Sequence, residues 1–261
     1  LRPGRPDIVT GYGVTGSGNE TPVTRDTLFE LGSCSKAFTA LAALRLESEG
    51  LLRLDAPITD YLPGFYVTYK GKNITSLTLR QCLYHTSGIP WNAIRYIDRG
   101  KDAGALGRTV ENLKGIRLDT FPGTRHNYST VNYDIAGHII EKVTGKEFPG
   151  YMKTGIFEPL GLDSTFVRGP GPVPGEGTSR GMAAGHKIGF FAARPYHTDI
   201  LPGNAPAGYI ASNARDLARW LKLQIGLETG PLSTLFSKSR ERDKAVPPDA
   251  DSMSSYAFGW N

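Results

Sequence analysis

Cysteine is scarce in this sequence. Cys34 and Cys82 are the only two among 261 residues, which excludes a framework of several disulfide bonds. Long apolar runs are also missing, since the longest apolar-biased stretch, residues 37–46, is far shorter than the roughly 20 residues of a membrane-spanning helix. Histidine and cysteine do not recur at metal-ligand spacing, and basic residues do not alternate with aromatic ones. We therefore expect no metal, no nucleic-acid partner and no membrane span within this chain.

Charge of one sign is not concentrated anywhere in the chain. The formal net charge of +5 comes from scattered lysines and arginines, which favours a solvated basic surface over attraction to an anionic membrane or cell-wall polymer. The composition, with 39% hydrophobic and 21% charged residues, is that of a globular protein. The 32 glycines and 18 prolines predict many tight turns. The sequence leaves one bridge between the two cysteines open and favours two free thiols.

Apolar residues recur at helical spacing in three segments. The first helix is predicted from about residue 33 to 48, the second from 131 to 143, and the third from 212 to about 225. Gly145 supplies the stop after the second helix. Residues 231–248 are polar, and we expect them to form a surface connection.

Ser33 and Lys36 form an S-x-x-K pair at the predicted start of the first helix. At this spacing the hydroxyl and the amine share a helix face, so the amine can take the hydroxyl proton and activate the serine. The backbone N–H of Ser33 at the helix N-terminus also points toward a developing oxyanion. The alternative is a Ser33 that merely caps the helix and a solvated Lys36, while Ser35 has no lysine three residues on. The pair alone favours capping, and its context favours catalysis.

That context is a resemblance to a known family. The segment around Ser33 resembles the nucleophile segment of class C β-lactamases and related D-amino-acid peptidases, within the serine β-lactamase and penicillin-binding-protein family. The resembling segments, in the expected order along nearly the whole chain, are residues 29–40, 49–57, 61–63, 85–90, 122–123, 143–145, 158–161 and 205–208. The resemblance implies an α+β fold (an α/β sandwich) of the β-lactamase/transpeptidase type. An antiparallel sheet domain (1–60 and 196–261) would carry helices and an inserted, mostly helical domain (61–195).

Tyr128 is the third residue that the resemblance marks as catalytic. The family's second motif is Tyr-x-Asn, and this chain has Tyr128, Ser129 and Thr130 at that place. The resemblance makes Tyr128 the partner of Lys36 that passes a proton to the leaving amine. The alternative is a tyrosine packed against a helix start. Thr130 replaces an asparagine that contacts substrate amides, so the resemblance implies a different substrate preference but the same proton transfer.

A small residue after the tyrosine is similar to one group of this family, the D-asparaginyl prodrug peptidases that include the colibactin-maturing peptidase. The segments resembling that group are 29–33, 69–72, 83–88, 132–134 and 186–190. By the same resemblance Glu30 and His197 contact substrate, where a carboxylate and an imidazole can fix a primary carboxamide. The alternatives are a carboxylate bound to nearby backbone and an ordinary loop histidine. His85 is expected to be structural and to hold its own turn.

The resemblance implies a serine peptidase or amidohydrolase that works through an acyl-enzyme. Its substrate would be a small-molecule or peptidic secondary-metabolite precursor with an N-acyl-D-amino acid cap, N-acyl-D-Asn above others. The alternatives are a class C-like β-lactamase, D,D-peptidase or esterase using the same three residues, and a catalytically silent ligand-binding domain. The implied location is periplasmic or otherwise extracytoplasmic, with membrane anchoring through segments outside this chain.

Two patterns limit these expectations. The family's third motif, Lys-Thr-Gly or His-x-Gly, is not found and the chain opens with Leu1, so we expect a natural protein that is longer at both ends. Residues 11–16 match G-x-G-x-x-G, but a turn follows them instead of the helix that dinucleotide binding needs. We therefore expect no cofactor.

Overall fold

The computed structural model describes residues 7–16, 18–171, 181–189, 192–196, 199–243 and 256–260. Its strands are β1 (Val14–Gly16), β2 (Asn19–Pro22), β3 (Leu28–Glu30), β4 (Val67–Tyr69), β5 (Lys72–Ile74), β6 (Phe166–Val167), β7 (His186–Gly189), β8 (Ala192–Pro195) and β9 (Ile210–Asn213). Its α-helices are α1 (Ser35–Ser48), α2 (Leu79–Leu83), α3 (Ala105–Asn112), α4 (Val131–Thr144), α5 (Phe148–Met152), α6 (Ala205–Gly208), α7 (Ala214–Gln224) and α8 (Ser233–Ser239).

Helix α1 lies at the centre of the fold. Its sequence is rich in alanine and leucine, which favour the helix, and 11 of its 14 residues are buried. A helix covered on nearly every side is typical of the core of a larger domain. The ring of Phe38 stacks on that of Trp220 in α7, with 4.0 Å between the ring centroids. Residues at the start of α1 are therefore carried by a firmly packed element.

A three-stranded antiparallel sheet is bonded to the first turn of α1. β9 is its middle strand, with β3 on one side and β6 on the other, and Glu30 lies opposite Ala211. The backbone N–H of Ile210 donates to the buried Oγ of Ser35 at 3.0 Å. The other described strands form separate hairpins, β1 with β2, β4 with β5, and β7 with β8. The sheet thus fixes the place where β3 turns into α1.

Helix α6 contacts both α1 and α4 although it is only four residues long. Gly137 makes the contact with α4 close, because a Cβ at this position would lie 2.1 Å from Cγ of Pro206. Helix α4 ends at Gly145, whose φ of 66° is in the left-handed region that favours glycine. The backbone of α6 is therefore held against the two helices that carry the candidate site.

The predicted mixture of helices and antiparallel sheet is confirmed, and the three predicted helices correspond to α1, α4 and α7. The expectation of a mere surface connection at 231–248 is wrong, because Ser233–Ser239 is helical and buries Leu235 and Phe236. The division into a sheet domain and an inserted domain stays a prediction. Both cysteines are free thiols, Cys34 exposed and Cys82 buried. Within the described ranges no helix has the length and apolar content to cross a bilayer.

Candidate active site

Ser33 lies on a tight turn between the sheet and the central helix. The turn is a single 3-10 turn, Gly32–Cys34, which starts where β3 ends and leads directly into α1. Gly32 has a φ of 52°, in the left-handed region that glycine adopts without strain. The Leu31 N–H donates to Ile210 O at 2.9 Å, so the turn is tied to β9. Ser33 is exposed, and its hydroxyl is presented to solvent from a rigid base.

Lys36 is buried beneath Ser33, with only 1% of its surface exposed. Its Nζ lies 3.0 Å from Ser33 Oγ and donates to the carbonyl oxygen of Ala207 in α6 at 2.8 Å. The ring centroids of Tyr128 and Tyr133 lie 5.2 and 5.7 Å from the same nitrogen. The amine is therefore enclosed by one hydroxyl, one carbonyl and two aromatic rings.

Tyr128 completes the group from a loop that precedes α4. Its hydroxyl lies 2.9 Å from Ser33 Oγ. The loop is fastened on both sides of the tyrosine, because the Asn127 N–H donates to His85 O at 2.7 Å and the Ser129 N–H lies 3.3 Å from His85 Nδ1. Ser129 Oγ also donates to Pro90 O at 3.1 Å. The structure thus brings Ser33, Lys36 and Tyr128 together around one oxygen atom.

His85 holds the tyrosine loop from inside the protein. It is fully buried and its φ of 57° lies in the left-handed region, so its turn needs outside support. Nδ1 faces the Ser129 N–H and lies 3.1 Å from Asn132 Nδ2, which makes Nδ1 an acceptor and places the ring proton on Nε2. Burial, and then the charge of Lys36, lowers the pKa of His85 well below its usual value. His85 therefore lies in the fold as a neutral ring.

We expect His85 to make the protein acid-sensitive. An unfolded histidine titrates near about 6.5, so below that pH the unfolded chain binds a proton that the folded chain does not. The free energy of unfolding is then highest above pH 6.5 and falls as the pH decreases, by up to about 1.4 kcal/mol per pH unit from this group. His85→Asn, whose side chain tolerates the left-handed backbone, should flatten this slope in urea unfolding between pH 8 and 5. The exposed His186→Asn is the control, and an unchanged slope in His85→Asn would contradict the prediction.

The structure describes two of the three residues predicted to contact substrate, Glu30 and Thr130. Glu30, about a third exposed, forms an ion pair with Arg168 just after β6. Thr130 is half-buried immediately before α4, and its carbonyl accepts from the Tyr133 N–H at 3.1 Å. His197 lies outside the described residues. The sequence interpretation missed Arg168, which lies 138 positions from Glu30 and has no motif of its own.

A buried carboxyl group lies near Lys36 and was also missed. Asp134 in α4 is fully buried and faces the side-chain amide of Asn204; with the amide nitrogen turned toward it, its two carboxylate oxygens accept at 2.9 and 3.2 Å. Burial raises the pKa of Asp134 well above its usual value, and the charge of Lys36 opposes this. Asp134 lies on the face of the second predicted helix opposite its apolar stripe, so the sequence pattern did not signal its burial.

The cavities in the described part of the molecule include one of about 510 Å³ and one of about 1020 Å³. The smaller of the two opens beside the tyrosine loop, and its lining residues are Pro90, Trp91, Asn92, Arg95, Arg117, Leu118 and Asp119. The larger lies beside β6 and α7, and its lining includes none of Ser33, Lys36 and Tyr128. The lining of the smaller cavity does not include these three residues either, and this cavity adjoins the tyrosine loop through Pro90, whose carbonyl accepts the hydrogen bond from Ser129 Oγ.

Comparison with known proteins gives the family. The beta-lactamase family model matches residues 1–261. The chain is 29% identical over 255 residues to penicillin-binding protein 4 of Amycolatopsis lactamdurans, which covers 95% of this chain and 65% of that protein. It spans about half the length of other curated relatives that it matches.

Two solved structures are similar to this chain in both sequence and fold. A class C β-lactamase from Rhodobacter sphaeroides is 31% identical with a TM-score of 0.68, over 88% of this chain and 61% of that one. A D-stereospecific amidohydrolase from a Streptomyces species is 27% identical with a TM-score of 0.70, over 90% and 70%. The chain therefore belongs to the beta-lactamase family, the serine hydrolases that include β-lactamases, penicillin-binding proteins and D-amidohydrolases.

Proposed function

We propose that this chain carries the catalytic centre of a serine peptidase or amidohydrolase that works through an acyl-enzyme. Ser33 Oγ attacks the amide carbonyl carbon while its proton moves to Lys36 Nζ. Tyr128 delivers a proton to the amine as the C–N bond breaks and takes back from Lys36 the proton that left Ser33, which leaves an ester on Ser33. Water then attacks the ester and releases the acid. The observation that best supports these reaction steps is the position of Ser33 Oγ, 3.0 Å from Lys36 Nζ and 2.9 Å from the Tyr128 hydroxyl.

The Ala207 carbonyl orients the amine of Lys36 for the proposed base role. A neutral amine has two N–H donors and one lone pair. The bond from Nζ to Ala207 O uses one donor on the side of α6. This orientation leaves the lone pair free to accept the Ser33 proton. The backbone N–H of Ser33, at the start of α1, supplies one donor for the developing oxyanion.

The proposed substrate is an N-acyl-D-amino acid amide, with D-Asn as the preferred residue of a prodrug cap. The support is the resemblance of several segments to D-asparaginyl prodrug peptidases and the match to a D-stereospecific amidohydrolase. Glu30 lies three residues before Ser33 and is paired with Arg168. In this pair the carboxylate can accept from a carboxamide NH₂ group and the guanidinium can donate to its oxygen. Thr130 and His197 are proposed as further substrate contacts.

The proposal extends to the setting of the reaction. The enzyme would act outside the cytoplasm, as the resembling peptidases do, and would release an active secondary metabolite, such as an antibiotic, from its precursor there. Membrane association, if it occurs, would come from segments outside this chain. A reporter fused directly after residue 261, with every preceding residue of the full-length protein kept, would contradict this location if it were active only in the cytoplasm.

A class C-like β-lactamase, D,D-peptidase or esterase is the second candidate. The 31% identity to a class C β-lactamase favours it, and it would use the same three residues. A catalytically silent ligand-binding domain of the same fold is the third. The two groups hydrogen-bonded to Ser33 Oγ, Lys36 Nζ and the Tyr128 hydroxyl, argue against this candidate, because a site without chemistry has no need to bury a lysine beneath a serine.

One set of substrates separates the three candidates. The full-length protein is incubated with N-acyl-D-Asn, N-acyl-L-Asn and N-acyl-D-Asp amides, a cephalosporin and an ester, and adducts and products are followed by mass spectrometry. We expect release of N-acyl-D-Asn at least about 10-fold faster than the other amides, a discrimination of about 1.4 kcal/mol. Glu30→Gln should narrow this preference while still acylating. Cephalosporin turnover without D-Asn release would favour the second candidate, and absence of any adduct would favour the third.

A further inference from the structure

The carboxyl group of Asp134 is buried without an ionic partner in the described part of the chain. It lies on α4 and is fully buried, where an acidic residue is costly unless its oxygens are hydrogen-bonded. The group that faces it among the described residues is the side-chain amide of Asn204, which donates to the two oxygens at 2.9 and 3.2 Å when its nitrogen is turned toward them. The acylation sequence proposed above does not use this group. A costly group with a dedicated partner calls for a specific role.

Asn204 is the residue from which α6 starts. Two consecutive carbonyls of α6 then point at α1, since Pro206 O accepts from Thr39 Oγ1 at 2.7 Å and Ala207 O accepts from Lys36 Nζ at 2.8 Å. A helix of four residues has almost no internal hydrogen bonding, so its position depends on contacts with its neighbours. The Asp134–Asn204 contact is therefore the polar attachment of α6 to α4, and the two carbonyls are its attachment to α1.

We propose that Asp134 and Asn204 are positioning residues for Lys36, acting through the Ala207 carbonyl. Asp134 holds Asn204, Asn204 fixes the start of α6, and α6 aims the amine at Ser33 Oγ. This inference rests on the proposed role of Lys36 as the base. A misplacement of about 1 Å in a reacting group can cost about 100-fold in rate, and loss of groups that orient a reacting residue commonly costs about 10- to 100-fold.

Asp134→Ala and Asn204→Ala test the inference in the full-length protein. We expect each to slow acyl-enzyme formation by about 10- to 100-fold, with the substrate concentration for half-saturation changed by less than about 2-fold. Asp134→Asn should rescue the rate to within about 3-fold of wild type, because an amide oxygen accepts the same bond from Asn204. A residue that only stabilised the fold would not show this split between rate and saturation together with rescue by asparagine.

Asp216 provides a matched control in another helix. It too is a buried acidic residue, and its Oδ2 accepts from the Ser164 N–H and from Thr165 Oγ1 at 2.8 Å. Asp216→Ala should lower the free energy of unfolding and leave the acylation rate of the folded fraction unchanged. If Asp134→Ala fails to fold, Asn204→Ala and Asp134→Asn still carry the test.

The outcomes separate this inference from the proposed function. Wild-type acylation rates in Asn204→Ala would overturn the positioning role, and so would an Asp134→Asn variant that is as slow as Asp134→Ala. In both cases the proposed acyl-enzyme stands. A wild-type protein that forms no adduct on Ser33 overturns the proposed function instead. Slow acylation in both alanine variants, with rescue by Asp134→Asn, supports the inference.

Discussion

Replacing Ser33 by alanine is expected to abolish acyl-enzyme formation and to slow amide turnover by at least about 10⁴-fold, since loss of a covalent nucleophile leaves only binding and oxyanion stabilisation. The fold should survive, because Ser33 is exposed and lies outside the core. Its side-chain bonds are those to Lys36 and Tyr128, and solvent can take their place at an exposed turn. Intact-mass analysis after incubation with substrate, together with a thermal unfolding curve, measures both expectations.

Ser35→Ala is the matched control for this substitution. Ser35 is buried, and its Oγ accepts from the Ile210 N–H. Its loss leaves a buried donor unpaired, which costs about 1–3 kcal/mol of stability. We therefore expect the opposite pattern: a destabilised protein that still forms the acyl-enzyme. An adduct in Ser33→Ala, or an adduct mapped to Ser35, would show that the wrong serine has been assigned.

Replacing Lys36 by methionine is expected to slow acylation by about 10²- to 10⁴-fold, the range found for loss of a general base. Methionine fills a similar volume in this buried place but cannot accept the Ser33 proton. The Ala207 carbonyl loses its partner, which costs about 1–3 kcal/mol, while the buried amine no longer needs to be accommodated. The net change in stability should therefore be small beside the change in rate.

Lys36→Arg distinguishes a base from a fixed positive charge. The guanidinium keeps a donor for Ala207 O but stays protonated at any accessible pH, so it cannot take a proton. Burst kinetics with a chromogenic ester should show the same loss in Lys36→Arg as in Lys36→Met. Activity that survives in Lys36→Arg and disappears in Lys36→Met would mean that Lys36 acts through its charge, and the proposed acylation step would have to be revised.

The contact between site residues that are close together in the chain could be predicted from the sequence. Ser33 and Lys36 are three residues apart where a 3-10 turn runs directly into α1, so their contact follows from local helical spacing, and the glycine stop at Gly145 marked the end of α4 correctly. Tyr128 came from a family resemblance, not from spacing. The structure places it within hydrogen-bond distance of Ser33 across 95 residues.

Contacts between residues that are far apart in the chain could not be predicted, because the patterns of a single sequence carry no information on which distant residues meet. The Ala207 carbonyl is a backbone group and leaves no trace in residue types. Glu30 in β3 pairs with Arg168 just after β6, so the sequence around either residue does not predict the other. Helix α8 was missed because its seven residues contain only two buried apolar side chains, too few for a periodic signal.

The bonds around Ser33 and Lys36 also have a consequence for the order of folding. They join positions 95 and 171 residues apart, and the chain must lose the entropy of closing these long loops before either contact forms. Until then the serine hydroxyl is an ordinary alcohol beside a hydrated ammonium group. The proposed hydrolytic activity therefore needs the nearly complete tertiary structure, and a nascent or partly unfolded chain would lack it.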